Sequence, residues 1–183
     1  MKTDILIIGA GPAGLACAGA LKMRGITAQI IEKGDRVGTV WRTHYDRLHL
    51  HTAKRYSGLP GYPMPKSYPR YPSRDQVINY LEDYTRHFEI TPQFNTEVTK
   101  IRSKNGWEIL TDTQTYTAKN VIFTGGIATY PHLGNVAGIN SFEGQVIHSN
   151  RYQNAEPFSG KHVLVIGFGT REERSPLISP RPE

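Results

Sequence analysis

Residues Asp4 to Glu32, DILIIGAGPAGLACAGALKMRGITAQIIE, constrain the fold more than any other part of the chain. Ile5-Leu6-Ile7-Ile8 is a short apolar run of the kind that forms a strand buried on both faces. It ends in Gly9-Ala10-Gly11-Pro12-Ala13-Gly14, which fits G-x-G-x-x-G, and a small-residue stretch predicts a helix from about Ala13 to Arg24. Thr27 to Ile31 predicts a second strand, closed by Glu32 eighteen residues beyond Gly14. Each part has a physical role in a dinucleotide site. Gly9 permits the tight turn, Gly11 lets backbone approach a pyrophosphate, and Gly14 allows close helix–strand packing. The helix start offers N–H groups and a positive dipole end to the phosphates. Glu32 is placed to accept hydrogen bonds from ribose hydroxyls, and its charge would repel the extra phosphate of NADP. FAD or NAD is the expected ligand of this turn.

The composition narrows the class further. The chain has 183 residues, 38% hydrophobic content, a mean hydropathy of −0.46 and a net charge of +6. That length suits one domain of good core, or one domain plus part of another. Lys2, the apolar stretch and the Ala-Cys-Ala tract loosely imitate a secretion signal, but Asp4 and the Gly-Pro interruption oppose it. No apolar run is long enough to cross a bilayer. Basic residues between Arg36 and Arg74 are interleaved with Tyr, Pro and Gly, a pattern that fits a solvated surface with a few phosphate partners better than a nucleic-acid face. Cys17 is the single cysteine, so these residues carry no C-x-x-C dithiol and no internal disulfide. The expected compartment is cytoplasmic. No metal-ligand cluster stands out among the seven histidines.

Beyond the first unit, Gly34 to Tyr71 is long, irregular and aromatic, which predicts an ordered loop facing a ligand. Ser73-Arg74-Asp75-Gln76 fits a capping box, and Val77/Ile78, Leu81, Tyr84 and Phe88 recur at helical spacing behind it. A β-meander is expected next, with strands near Gln93–Ser103, Trp107–Thr111 and Thr115–Ala118 and a hairpin turn at Asn105-Gly106. Val121-Ile122-Phe123 predicts a further buried strand leading into Thr124-Gly125-Gly126. Val163-Leu164-Val165-Ile166 predicts another, leading into Gly167-Phe168-Gly169.

Two half-motifs therefore bracket the chain, and with them the sequence resembles the flavin-dependent monooxygenases that use FAD and NADPH, most of all the YUCCA-type and related bacterial enzymes. Besides GAGPAG with Glu32, Gly38-Thr39-Val40-Trp41 resembles the family's G-G-x-W, with Thr39 in place of a glycine. Tyr45 to Thr52 resembles its Y-x-x-L-x-L-H-T segment, and Tyr71-Pro72-Ser73-Arg74 before a helix also fits. Phe142, Gly144, His148 and Tyr152 fit F-x-G-x-x-x-H-x-x-x-Y, the most specific match. Thr124-Gly125-Gly126 stands where the family usually has A-T-G.

The resemblance implies an α/β fold: a Rossmann-like, three-layer FAD-binding domain with a β-meander over residues 1–160, then the first strand of an NADPH-binding domain over 161–169. It implies that Gly9, Gly11, Pro12, Ala13, Gly14, Glu32, Lys33, Val40, Trp41, His51, Val98 and Gly126 contact FAD, with Val40, Trp41 and His51 along the flavin and the Val98 backbone on the adenine side. Gly167 and Gly169 would be what remains of an NADPH site. In such enzymes NADPH reduces the flavin, and one atom of dioxygen passes to a nucleophilic heteroatom or is inserted beside a ketone. The cofactor carries that chemistry while the protein binds, orients and shields it. A YUCCA-like enzyme would act on a 2-oxo acid such as indole-3-pyruvate, related ones on amines and sulfides. Each match also has a plainer reading, in which Trp41 plugs the core beneath the loop, His51 is a hydrogen-bonded structural histidine, and His148 with Phe142 fixes a chain path.

Past Gly169 the sequence leaves the family pattern. Glu172 stands where a third glycine is expected, and Pro176, Pro180 and Pro182 oppose a helix, so 170–183 is expected to be a disordered tail. Two readings stay open here: an FAD/NADPH monooxygenase represented by its N-terminal portion, or a non-catalytic flavin-binding fragment from a shifted or truncated frame. A nicotinamide-linked dehydrogenase is weaker, because the aromatic loop and the meander have no place in it.

Overall fold

The structure is a computed structural model that describes residues 1–103, 105–126 and 136–167. Its contacts divide the chain into two units, Met1–Arg42 with His49–Thr129, and Thr43–Leu48 with Tyr130–Glu183. The first unit is built on one mixed five-stranded sheet of order β2-β1-β5-β4-β3.

Strand β1 (Lys2–Ile8) is the hub. It pairs in parallel with β2 (Gln29–Ile31) through Leu6↔Gln29 to Ile8↔Ile31, and on its other side with β5 (Thr115–Phe123) through Lys2↔Thr117 to Ile8↔Phe123. Leu6, Ile7 and Ile8 are all buried, as an apolar strand between two covered faces requires. One face of it meets helix α1 (Pro12–Lys22): Ile7 packs with Ala10, Ala18 and Ile30. The other meets the meander, where Leu6, Ile8 and Ile31 share a core with Ile109, Tyr116 and Ala118. Helix α1 thus covers one face of β1, and side chains of the meander strands, which continue the same sheet, share the core on its other face.

The small residues of α1 let a second helix close on it. An added Cβ at Gly19 would lie 1.9 Å from the Tyr84 hydroxyl of α3 (Arg74–His87), which donates to the Pro60 carbonyl at 2.9 Å. Helix α3 starts with the predicted capping box: Ser73 Oγ accepts from the Gln76 N–H and Gln76 Oε1 accepts from the Ser73 N–H. Its apolar stripe of Val77, Tyr80, Leu81 and Tyr84 packs with Leu15 and Val37, and Trp41, Leu50, Leu59, Tyr62 and Met64 close over it. Much of the long aromatic segment is therefore core.

Strand β3 (Val98–Ser103) pairs antiparallel with β4 (Trp107–Thr111), and Asn105 and Gly106 both take positive φ in the connecting turn. Three expectations change here. The strand expected from Gln93 splits: Gln93 bridges to Ile31 at the β2 edge, and regular pairing with β4 starts at Val98. The meander's last strand and the separate Val121–Phe123 strand are one nine-residue strand, β5. Lys119 and Asn120, which looked like a break, stay in register with β1 (Ile5↔Asn120), and their exposed side chains reach the Asp4 carboxylate and carbonyl. Nor is the end of β5 buried, because Phe123 is 67% exposed.

In the second unit Tyr45 and Leu48 are buried, and Tyr45 meets the Tyr152 ring, which also meets Phe158. The Asp46 N–H donates to the Gln153 carbonyl at 2.9 Å, and Gln153 Nε2 donates to the Thr43 carbonyl. Val163–Ile166 pairs with no strand among the described residues, and Leu164 is 84% exposed. An apolar run becomes a strand only beside a ladder partner, and the described residues offer it none. The expected tail at 170–183 lies outside the described residues, as do Phe168 and Gly169.

Candidate dinucleotide site

The carboxyl ends of β1, β2 and β5 converge on the glycine turn. Because the chain moves from β1 to β2 on one side and returns as β5 on the other, the β1/β5 boundary is a topological switch point, where open α/β sheets bind ligands.

The turn's first peptides are held by the protein itself. Gly9, at φ +107°, donates its N–H to the Ile31 carbonyl at 2.8 Å. The Ala10 N–H donates to Glu32 Oε2 at 2.7 Å, and the Gly34 N–H donates to Glu32 Oε1 at 2.8 Å. Thr124 donates its N–H (2.9 Å) and its hydroxyl (2.7 Å) to the Ile8 carbonyl, and the hydroxyl also lies 3.2 Å from the Gly9 carbonyl. Further along, the accounting reverses. The N–H groups of Gly11, Ala13 and Gly14 meet no protein acceptor among the described residues, Pro12 has none to offer, and α1 has neither a capping side chain nor an acidic residue in its first turn. A helix start left open in this way suits an anion.

The three motif glycines divide by what surrounds them. An added Cβ at Gly14 would lie 2.0 Å from the Gly9 carbonyl oxygen, and one at Gly9 would lie 2.7 Å from the Thr124 carbonyl oxygen. At Gly11 it would meet nothing within 4 Å, and the backbone there (φ −80°, ψ −177°) is open to any residue. Gly9 and Gly14 answer to the protein's own packing, whereas the space beside Gly11 is free for a ligand.

Glu32 does more than the sequence suggested. Its carboxylate joins the first turn to the segment after β2, using one lone pair on each oxygen for backbone N–H groups and leaving others for hydroxyl donors. Its N–H donates to the Gln93 carbonyl and its carbonyl accepts from the Thr96 N–H, so residues 93–96 lie along the edge beside Glu32 at the end of β2. That edge leads to Val98, half-buried against the meander core. Lys33 is exposed. The Gly38 N–H donates to the Ala10 carbonyl at 3.3 Å, which brings α2 (Thr39–Arg42) to the turn. On α2, Val40 is 54% exposed while Trp41 packs into the α1/α3 core, which favours the plainer reading of Trp41. His51 is exposed, next to Leu50, whose N–H donates to the Pro72 carbonyl. Gly126 is exposed at φ +76°.

The remaining signature residues belong to the second unit. His148 caps the turn Ser149–Arg151, its Nδ1 accepting from the Asn150 N–H, and Phe142 and Gly144 are exposed. Tyr152 holds the 43–48 segment through Tyr45, and its partial burial raises the phenol pKa. Gly167 takes φ +137°. Sequence reasoning missed Thr124 and the 93–96 segment as parts of the turn; the available signal was the Thr124-Gly125-Gly126 tract at a strand end.

A family model described as pyridine nucleotide-disulphide oxidoreductase matches residues 6–170. The chain belongs to this family, among its flavin monooxygenases. It is 37% identical over 168 residues to "Probable indole-3-pyruvate monooxygenase YUCCA4" of Arabidopsis thaliana, covering 90% of this chain and 41% of that protein. It superposes on the flavin-containing monooxygenase from Stenotrophomonas maltophilia with a TM-score of 0.80 and 28% identity, over 87% of this chain and 49% of that one. A structure of OTEMO in complex with FAD and NADP matches with a TM-score of 0.66 and 26% identity, over 82% of this chain and 30% of that one. The chain thus spans less than half the length of these relatives. The α/β fold with its mixed sheet is that of the FAD-binding domains of flavin monooxygenases. Among the described residues no helix is long and apolar enough to cross a membrane.

Proposed function

We propose that this chain carries the FAD site of a flavin-dependent, NADPH-using monooxygenase. The observation that supports it best is the contrast at Gly11: none of the described residues needs that position bare, yet it stands beside a helix start whose N–H donors meet no acceptor among the described residues. A pyrophosphate suits these N–H donors by charge, and Glu32 retains lone pairs for a ribose. Bound there, the flavin supplies the redox and oxygen-transfer chemistry that the side chains themselves lack.

In this reading Gly11, Ala13 and Gly14 bind the pyrophosphate through backbone N–H groups. Glu32 orients the ribose, residues 93–98 flank the adenine, and α2 borders the flavin side through the exposed Val40, with Trp41 packed behind it. NADPH as reductant, dioxygen as co-substrate, and a small-molecule acceptor such as an amine, a sulfide or a 2-oxo acid of the indole-3-pyruvate kind belong to the same reading; relatives named indole-3-pyruvate monooxygenase and a neighbour in complex with FAD and NADP support it in part. The test is flavin retention. Purified chain loaded with FAD should keep visible flavin absorbance through gel filtration, and Gly11→Asp, which sets bulk and charge against the pyrophosphate, should lose it. A wild-type chain that takes up no FAD, or a folded Gly11→Asp variant that keeps it, overturns the reading.

A further inference from the structure

The side chain that shapes the glycine turn comes from the far side of the sheet. Thr124 follows directly on β5, one residue past the Ile8↔Phe123 pair, so the β1/β5 register delivers it to the turn. Its hydroxyl donates to the Ile8 carbonyl at 2.7 Å and lies 3.2 Å from that of Gly9. The same oxygen would be 3.1 Å from a Cβ at Gly9 and 2.9 Å from one at Gly14. Two of the three motif glycines therefore leave room for Thr124 as well as for each other, and the hydroxyl sits between the strand end and the helix start.

We propose that Thr124 is a positioning residue for the pyrophosphate site, its hydroxyl fixing the peptides of Ile8 and Gly9 so that the donors from Gly11 to Gly14 point at one locus. The proposal rests on the FAD reading above, but it concerns a residue outside the glycine motif that acts through the backbone of the turn. The Ile8 carbonyl keeps its bond from the Thr124 N–H whatever side chain stands at 124, so the strand ladder does not depend on the hydroxyl. The hydroxyl also neighbours the carbonyl of the Gly9–Ala10 peptide, whose N–H is held at its other end by Glu32 Oε2. Loss of the hydroxyl leaves the sheet intact but removes the tie at the carbonyl end of the Gly9–Ala10 peptide, whose N–H end Glu32 still holds. This peptide can then tilt about that one bond, and the donors from Gly11 to Gly14 lose part of their convergence.

The experiment compares FAD dissociation constants by flavin fluorescence for wild type, Thr124→Val and Thr124→Ser, with folding followed by circular dichroism. Valine keeps the shape and removes the donor; serine keeps the donor and removes the methyl group. The expected result is FAD binding weaker by about tenfold or more in the valine variant, within about twofold of wild type in the serine variant, at matched folded fractions. Equal affinity in all three, or equal loss in both variants, overturns the proposal, since the hydroxyl would then not be the cause. Should the valine variant fail to fold, Thr124→Ala replaces it in the same comparison. If neither folds, the hydroxyl holds the fold and not the ligand turn, which also overturns it. Failure of the wild-type chain to bind FAD would instead strike the functional reading on which this one rests.

Discussion

Replacing Gly14 and Gly11 separately by alanine should split one motif into two different defects. At Gly14 the new methyl would lie 2.0 Å from the Gly9 carbonyl oxygen and 2.9 Å from Thr124 Oγ1. The first obstacle is backbone, which cannot rotate aside, so turn and helix must separate by more than an ångström. Overpacking of this kind costs about 1–3 kcal/mol. For a chain of 183 residues that is a fall in Tm of roughly 2–12 °C. At Gly11 the methyl meets nothing within 4 Å and φ is −80°. Alanine gains about 0.4–1 kcal/mol from a less flexible unfolded chain. It loses a similar amount, about 0.5–1 kcal/mol, as a poorer N-cap. Stability without cofactor should therefore stay within about 0.5 kcal/mol of wild type, the difference of those two terms. With FAD the order reverses. Displacing a charged pyrophosphate from its donors removes a hydrogen bond worth about 1.5–3 kcal/mol, a roughly 10- to 150-fold loss of affinity. Denaturant melts of the cofactor-free proteins and FAD titrations provide both axes. A Gly14→Ala variant as stable as wild type, or a Gly11→Ala variant that binds FAD normally, would refute the division of the glycines.

Three other outcomes follow from named contacts. Burial pushes the Tyr84 phenol up to about 12, against an ordinary tyrosine value of about 10; its contribution to stability is full below the ordinary value and is lost as pH rises toward 12. Burial also raises the Tyr68, Tyr80 and Tyr152 phenols, so ultraviolet titration should show several late tyrosines, with one fewer in Tyr84→Phe; an unchanged number of late steps in that variant would assign the latest one elsewhere. Ser73→Ala removes the acceptor for the Gln76 N–H at the start of α3 and should cost about 1 kcal/mol in a denaturant melt without changing FAD affinity. Glu32→Gln sets an amide NH2 against either the Ala10 or the Gly34 N–H, so the cofactor-free protein should lose about 1–3 kcal/mol and bind FAD more weakly; unchanged stability would show that the carboxylate serves only the ribose.

The hub of the fold was readable because its signals agree at every level. Ile5 to Ile8, the glycine turn, the small-residue helix and Glu32 each require the others, and the capping box at Ser73 and the Asn105-Gly106 turn act over a few residues. What stayed hidden depends on partners distant in sequence. Lys119 and Asn120 look like a strand break until β1 pairs alongside and Asp4 meets their side chains. Val163–Ile166 looks like a strand, but the described residues give it no neighbour. The aromatic loop looks like a ligand surface by composition, yet Trp41 and Tyr62 fill the space over α3. Composition cannot say which side of a tyrosine faces water.

The same distinction explains why a glycine motif alone under-determines a site. Of the turn's polar groups, the Gly9 and Ala10 N–H are consumed by the end of β2 and by Glu32, and the Ile8 carbonyl by Thr124 from β5. Only after those bonds are made does a set of donors remain that meets no acceptor among the described residues, running from Gly11 into the first turn of α1. A chain with the glycines but without an acceptor at position 32 or a donor at position 124 would spend its free N–H groups differently, or leave them without a common direction. The ligand locus is what remains when the backbone accounting closes, and two side chains, Glu32 from one neighbouring strand and Thr124 from the other, decide where that remainder lies.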